Sequence, residues 1–346
     1  MNVLIQLKKD NLILAYHDRS DGGLIVSLLE MAFTVRKGLN INLSTNQPLD
    51  EAFSEEIGVL LQISENQFSK VHSVLKSVKL ESRIQKVAEI RDDQKVVIKS
   101  QNGSELYQNS ISVLKSIWSE TSFAIQKNRD NPECAESESK LYSDPTFTGI
   151  TYQLNFDPTK TFHISKNVKP KIAILREQGV NGHIEMAAAF HLAGFTSVDV
   201  TMSDLLTKKH IITDFQGLVS CGGFSYGDVL GAGSGWAKTI LFNERLKDSF
   251  TEFFNNPQTF SLGVCNGCQM LSQLKDLVPG ADLWPRFVRN ISEQFEARFV
   301  MVKINKSPSV LLKSMEESTL AIACAHGEGL VHFDDSNLLH KNLEKN

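Results

Sequence analysis

In SLGVCNGCQMLSQL, residues 261–274, Cys265 stands between Gly263 and Gly267 where an apolar run gives way to a helical pattern, and Cys268 follows three residues later. A cysteine at a strand-to-helix turn meets the unpaired N–H groups that open the helix, and these, with the helix dipole, favour the thiolate. Small residues two before and two after it permit the sharp turn of a nucleophile elbow, with sulfur in place of oxygen. Three other readings stay open. The C-x-x-C spacing also suits a redox pair, and buried cysteines often serve only as small hydrophobes, a role that fits Cys268. A zinc site would need further thiols or histidines at matched spacing, whereas Cys134, Cys221 and Cys324 are isolated along the chain.

A second stretch bears on the choice. In SCGGFSYGDVLGAGSGWAK, residues 220–238, Gly222 and Gly223 directly follow an apolar run, as a loop would if it had to bring backbone N–H groups close to a reacting carbonyl. The stretch lacks the Gly-Lys-Ser/Thr ending of a phosphate loop, so it is no ATP cradle of that type. Near the start, Asp18 and Asp21 follow an apolar run and precede Gly22 and Gly23. Carboxylates in such a turn suit Mg²⁺ beside phosphates, or, more plainly, a turn and a helix cap. His17 beside them reads equally as site lining or as a turn residue.

The elements that must position these groups fall into two patterns. The chain opens strand first in NVLIQLKKDNLILAYHD, a helix follows in GGLIVSLLEMAF, and IGVLLQIS and KVVIKS read as strands with an amphipathic helix, ENQFSKVHSVLKSV, between them. This α+β unit is expected to span residues 1–118. Residues 119–168 are polar, charged and punctuated by prolines, and are expected to form an irregular linker. From residue 169 onward short strands (KIAIL, SVDVT, QGLVSCGG, FSLGVC) alternate with helical stretches (GHIEMAAAFHLAGF, MSDLLTK, NGCQMLSQL). Alternation of that kind predicts an α/β unit with a mainly parallel sheet, whose sites lie past the carboxyl ends of its strands. The loops after Leu175, Ser220 and Val264 are therefore the places to look.

Composition narrows the class. The 346 residues are 41% hydrophobic and 22% charged with a formal charge of -4, and no apolar stretch approaches the roughly 18 residues that cross a bilayer. No clustered Lys and Arg offer a nucleic acid its phosphate contacts. Five scattered cysteines do not make a disulfide framework, and the amino terminus lacks a signal-peptide cleavage pattern, so a cytoplasmic setting is expected, with neither membrane nor nucleic acid as partner.

The stretches LREQGVNGHIEMAAAFHLAGF, CGGFSYGDVLGAGSGWAK and GVCNGCQMLSQL, in that order, resemble the class I glutamine amidotransferase domain of the large-type phosphoribosylformylglycinamidine synthase family, which acts in purine biosynthesis. AYHDRSDGGLIVSLLEMAF resembles the C-terminal subdomain of the same family's synthetase part, of the aminoimidazole-ribonucleotide-synthetase type, and CAHGEGLVHF is a further family landmark. The resemblance implies a flavodoxin-like glutaminase sheet over 169–346. It implies that Cys265 attacks the side-chain amide of glutamine to form a γ-glutamyl thioester, with the N–H groups of Gly223 and Asn266 holding the oxyanion beside Gly222. Gln178, Gly179 and Gln269 would then line the glutamine site, with Glu177 and Asn181 in the same loop. Ammonia would pass to a second site where ATP, with Mg²⁺ held near Asp18 and Asp21, activates formylglycinamide ribonucleotide.

Two departures accompany the resemblance. The family supplies the base of its thiol nucleophile from a His-Pro-Glu segment, and this sequence contains no His-Pro-Glu. His326, with Glu328 two residues on, mimics that pair at the wrong place in the motif order, and Leu330 stands where the family usually has arginine. The chain thus reads as the C-terminal part of a longer synthase, with a glutaminase domain that is incomplete at its C-terminus and the remainder of the polypeptide as its partner. Impaired hydrolysis of glutamine and little complete synthase turnover are expected of it. A binding or regulatory module that keeps the folds without the chemistry is the alternative; a different cysteine hydrolase on the same sheet would fit Cys265 but not HDRSDGG.

Overall fold

The computed structural model describes residues 2–147, 149–160 and 169–333, and its chain forms two compact units, residues 1–149 and 150–346.

The first unit runs α1 (Asn2–Lys9), β1 (Ala15–Asp18), α2 (Gly23–Val35), β2 (Gly38–Asn42), α3 (Pro48–Phe53), β3 (Val59–Gln62), α4 (Phe68–Ser77), β4 (Ala88–Arg91), β5 (Lys95–Lys99), β6 (Glu105–Ser110), α5 (Ile111–Arg129) and α6 (Pro132–Ser143). A mixed sheet has the order β4-β2-β5-β6, with β2 and β5 parallel and the outer pairs antiparallel, and β1 pairs antiparallel with β3. Helix α2 is apolar on most of its surface, so it is driven into the core rather than laid on it. Leu24, Ile25, Leu28, Ala32 and Phe33 pack there with Leu39 and Ile41 of β2 and Val96 of β5.

Two sequence expectations fail in this unit. Residues 2–9, taken as the opening of a strand, are the helix α1. Leu7 on α1 is fully buried and packs with Leu12 and with Val71 of α4, which a short helix crossing α4 achieves. The first half of the expected linker is also regular, because α5 continues to Arg129 and α6 covers 132–143. The physical reason lies at the turn between them. Asn131 caps α6 by accepting from the Cys134 N–H at 3.1 Å, and Pro132 supplies the preset first helical φ. The hairpin is tied to the rest of the unit by Trp118, whose ring centroid lies 5.6 Å from that of Phe33 and whose Nε1–H donates to Glu30 at 3.1 Å, and by the Arg36 guanidinium, which donates to the Leu141 and Asp144 carbonyls. Residues 161–168 of the expected linker lie outside the described residues.

The second unit runs β7 (Lys171–Arg176), α7 (His183–Leu192), β8 (Thr196–Thr201), α8 (Met202–Leu206), β9 (Gly217–Ser220), α9 (Ser234–Leu241), α10 (Glu244–Asn255), β10 (Phe260–Gly263), α11 (Asn266–Gln273), β11 (Arg286–Val288), β12 (Glu296–Lys303), β13 (Thr319–His326) and β14 (Leu330–His332). Four strands form a parallel sheet of order β10-β9-β7-β8, which is the doubly wound arrangement expected from the alternating pattern. Its strands are apolar on both faces because helices cover both. Ala173 and Leu175 of β7 face a core with Trp236, Ile240, Phe250, Phe253 and Met270, while Ile172 and Ile174 face Met186, Phe190, Phe195 and Phe260 on the other side. Two antiparallel pairs, β12–β13 and β11–β14, complete the unit.

Candidate functional site

The winding of the sheet reverses between β7 and β9, and ligands of such sheets bind in the crevice outside the carboxyl ends of the strands at that reversal. The loops after β7, β9 and β10 meet there, and they carry the residues singled out above.

Cys265 caps α11 with φ 51° and ψ -113°, a conformation that costs a side-chain-bearing residue of order 1–3 kcal/mol, and its side chain is exposed. Such strain persists because the surroundings leave no alternative. Gly267, the second residue of α11, lies so close to β9 that a Cβ there would sit 2.1 Å from the Ser220 carbonyl oxygen. The helix is thus pressed onto the end of β9, and the turn before it must be abrupt.

The Gly222–Gly223 loop comes up beside the cysteine, for a Cβ on Gly222 would lie 3.1 Å from the Cys265 Cβ and 3.9 Å from its Sγ. Gly223 has φ 145°, and a Cβ there would strike the backbone of Val180 and Asn181 within 2.7 Å. That contact arises because the loop after β7 is zipped to this one: Asn181 N–H donates to the Gly222 carbonyl (3.0 Å), Phe224 N–H to Gly179 (2.9 Å) and Tyr226 N–H to Gln178 (2.9 Å). The N–H groups of Gly223 and Asn266 have no hydrogen-bond partner among the described residues. Two unspent donors beside an exposed thiol are the arrangement that stabilises developing negative charge.

Asn266 and Gln269 face inward instead of into the crevice. The Asn266 amide accepts from Ser225 N–H (3.2 Å) and donates to Asp228 (3.0 Å) and to Gln269 Oε1 (3.3 Å), while Gln269 Nε2 donates to the Glu328 carbonyl at 2.6 Å. Glu328 in turn accepts from Ala232 N–H at 2.8 Å. Sequence reasoning missed Asp228 and read Glu328 only as a companion of His326; both are the acidic members of this network. Burial pushes the Asp228 carboxyl above its ordinary range, partly offset by the hydrogen bond from Asn266. Glu177 accepts from the N–H of Gln178 and stays in the loop.

The thiols now separate. Burial pushes Cys268 up, and Cys221 up to about 11, so both behave as apolar packing groups. Among the described residues no group of three His, Cys, Asp or Glu side chains could hold a metal ion, which removes the zinc reading there. His326 is no base for Cys265 in this geometry: its Nδ1 faces Asn290 Oδ1 at 3.0 Å and its Nε2 faces Cys324 Sγ at 2.9 Å. The partner of Cys265 Sγ is the Ala325 carbonyl at 3.8 Å.

In the first unit Asp18 and Asp21 are exposed, and the Asp18 carboxylate accepts from the Tyr16 hydroxyl. Asp21 does not cap α2, whose N-cap is Gly22 with no side-chain bond; the Gly22 N–H donates to Glu55 at 2.9 Å. These groups do not assemble a cage for Mg²⁺. His17 pairs with Glu30 through Nε2 at 2.9 Å and reaches the Asp18 carbonyl through Nδ1 at 2.5 Å, so it braces the start of the turn. A cavity of about 290 Å³ between α5 and α6 is bordered by Ser116, Phe123, Ser139 and Tyr142 and gathers no comparable chemistry.

The second unit is thus a doubly wound parallel sheet with a strained, exposed cysteine at a strand-to-helix elbow beside a glycine loop. Residues 169–346 match the family model of the CobB/CobQ-like glutamine amidotransferase domain, and the chain belongs to that family. Residues 1–101 match the C-terminal domain of AIR synthase related proteins. Among solved structures, a chain of the PurLQS structure from Thermotoga maritima matches at 22% identity and a TM-score of 0.38, covering 49% of this chain and 72% of that one. T. maritima PurL complexed with ATP matches at 15% identity and a TM-score of 0.30, and PurL complexed with FGAR at 14% and 0.29. Each of these two covers 33% of this chain, and the chain spans only 20% of their length.

Proposed function

We propose that the second unit hydrolyses the side-chain amide of glutamine and that the chain is part of a phosphoribosylformylglycinamidine synthase-like enzyme of purine biosynthesis. The observation that carries this reading is the exposed, strained Cys265 held against the Gly222–Gly223 loop. Sγ attacks the amide carbon, the carbonyl oxygen takes up the negative charge between the N–H groups of Gly223 and Asn266, and collapse to the γ-glutamyl thioester expels ammonia with a proton. Loss of one such donor costs about 3 kcal/mol of transition-state stabilisation in a hydrolase. Gln178 and Gly179, already paired with the glycine loop, would line the glutamine, and Gln269 would hold α11 in place from behind.

The first unit, by its match to AIR synthase related domains, would contribute to the ATP site at which ammonia meets formylglycinamide ribonucleotide. Asp18 and Asp21 are too few and too exposed to hold Mg²⁺ alone, so no step is assigned to the metal; a cation arriving with ATP and retaining most of its waters would suit them. ATP binding to the full chain, measured by calorimetry with and without Mg²⁺, tests this part, and no heat under either condition would overturn it.

One observation favours the second reading, a module that binds without turning over. No imidazole hydrogen-bonds to Cys265 among the described residues. A glutamine-mimicking diazo or chloroketone reagent followed by peptide mass spectrometry separates the two. Labelling at Cys265 that Cys265→Ser abolishes supports the amidotransferase, whereas folded protein left unlabelled at Cys265 points to the module.

A further inference from the structure

Cys265 is not the only cysteine with chemistry around it. On β13, Cys324 and His326 lie two residues apart and so share a face of the strand. Cys324 Sγ lies 2.9 Å from His326 Nε2, and His326 Nδ1 lies 3.0 Å from Asn290 Oδ1, in the loop after β11.

The state of the imidazole follows from the amide that holds it. Asn290 Nδ2 donates to the carbonyls of His326 (2.8 Å) and Gln294 (3.0 Å), and Asn290 Oδ1 accepts from Gly329 N–H (3.0 Å). Flipping the amide would set donors against donors at one end and acceptors against acceptors at the other, so its orientation is determined. His326 Nδ1 must then carry a hydrogen to give Oδ1. The lone pair of the neutral ring is left on Nε2, where it faces the thiol. A nucleophile, a base, and a third group that orients the base form the pattern by which thiols are activated.

The opposing strand complements the charges that proton transfer would create. Arg298 of β12 stands directly opposite Cys324, and Glu296 directly opposite His326. Side chains so paired have their Cβ atoms about 5 Å apart, which puts a cation beside a thiolate and an anion beside an imidazolium. The same two residues bond to each other across the face. Gly329 closes the far side of the ring, since a Cβ there would lie 2.1 Å from His326 Cε1, so the imidazole has no room to swing away.

We propose that Cys324 is a second nucleophilic thiol of this chain, activated by His326 and Asn290, and that it reacts with soft electrophiles of the peroxide class. Cys324 sits inside a strand, without the helix start that faces Cys265, so its surroundings are built for attack by sulfur and not for holding an oxyanion. His326 Nε2 takes the thiol proton, Sγ attacks the near oxygen of the peroxide, the O–O bond breaks, and the departing oxygen takes the proton from His326. Sulfur is oxidised to the sulfenic acid and the peroxide is reduced to an alcohol or water.

The test uses the full chain carrying Cys265→Ser and two probes: iodoacetamide for rates, and hydrogen peroxide with a dimedone trap for the sulfenic acid, each mapped by peptide mass spectrometry. Cys134, also part-buried and with no imidazole partner among the described residues, is the internal reference. Cys324 is expected to alkylate about tenfold faster than Cys134 at neutral pH, because an ordinary thiol is only a few per cent thiolate there. His326→Gln should bring it to within about twofold of Cys134, and the dimedone adduct should be found at Cys324. Equal rates for the two cysteines in folded protein, or a Cys324 rate that His326→Gln leaves unchanged, overturns the proposal. The comparison with Cys134 leaves the pair itself untouched, so it stands even where the histidine variant does not fold.

Discussion

Asn266 shows how one buried amide holds a site together. Its Oδ1 receives the Ser225 N–H and its Nδ2 reaches Asp228 and Gln269, so the residue that follows Cys265 also fastens the glycine loop to α11. Asn266 is fully buried, and removing its amide leaves the buried Ser225 N–H without its partner and takes one donor from the half-buried Asp228 carboxylate. Asn266→Ala should therefore lower stability by about 2–3 kcal/mol in urea denaturation. It should also slow labelling of Cys265 by the diazo reagent, because the N–H at 266 and the loop carrying Gly223 lose their common anchor. A stability change under about 0.5 kcal/mol would show the network to be ornamental. The residue types were legible in the sequence: a cysteine between glycines and a double-glycine loop announce an elbow and a donor loop. Asp228, and the place of Glu328 in the network, were not, since these roles exist only through contacts made some 40 and 60 positions away along the chain.

Elements place these residues by close approach. The packing of α11 on β9 leaves no space at Gly267, whose hypothetical Cβ meets the backbone oxygen of Ser220, a group that cannot move without distorting the sheet. Gly267→Ala is expected to cost at least about 3 kcal/mol and to abolish the strained geometry of Cys265 along with its labelling. Gly103→Ala, which strains the backbone at φ 83° but meets nothing within 4 Å and lies in the other unit, should leave Cys265 labelling unchanged. Periodicity gave the strands and helices of the second unit, because a parallel sheet covered on both faces imposes uninterrupted apolar runs. It misjudged α1 and the α5–α6 hairpin, whose few buried residues, such as Leu7 and Ala135, leave too thin a stripe among polar neighbours. The Asn131–Pro132 pair was a readable helix start that composition overshadowed.

At the scale of the whole molecule, carboxylates paired in the folded state make the chain sensitive to acid. Lys209 and the Thr201 N–H hold Asp204 down at about 2, Arg91 holds Asp93 down at about 2, and Arg176 lowers Asp199. A carboxyl whose folded pKa lies below its unfolded value near 3.8 binds its proton more weakly when folded. Its contribution to stability is complete above about pH 4 and is lost as the pH falls towards 2. Thermal melts at intervals from pH 6 to pH 2 should show little change down to about pH 4 and a steep fall below it. A profile that is flat through pH 3 would mean these pairs count for nothing in either unit. Raising the salt concentration should reduce the effect, because all three pairs are at the surface.

By itself the sequence determined the alternation of strand and helix, the two core-forming stretches, and the candidate chemistry of Cys265, because each follows from residue types at short spacing. Hydrophobic period and glycine placement act locally, and local rules are written along the chain. The tertiary structure decided which groups meet. It brought Gly222 and Gly223 to the elbow, withdrew His326 from Cys265 and gave it to Cys324, and set Asp228 and Glu328 behind Cys265. Those pairings depend on which strands become neighbours and on which face a side chain emerges, and such facts arise only when the sheet is assembled.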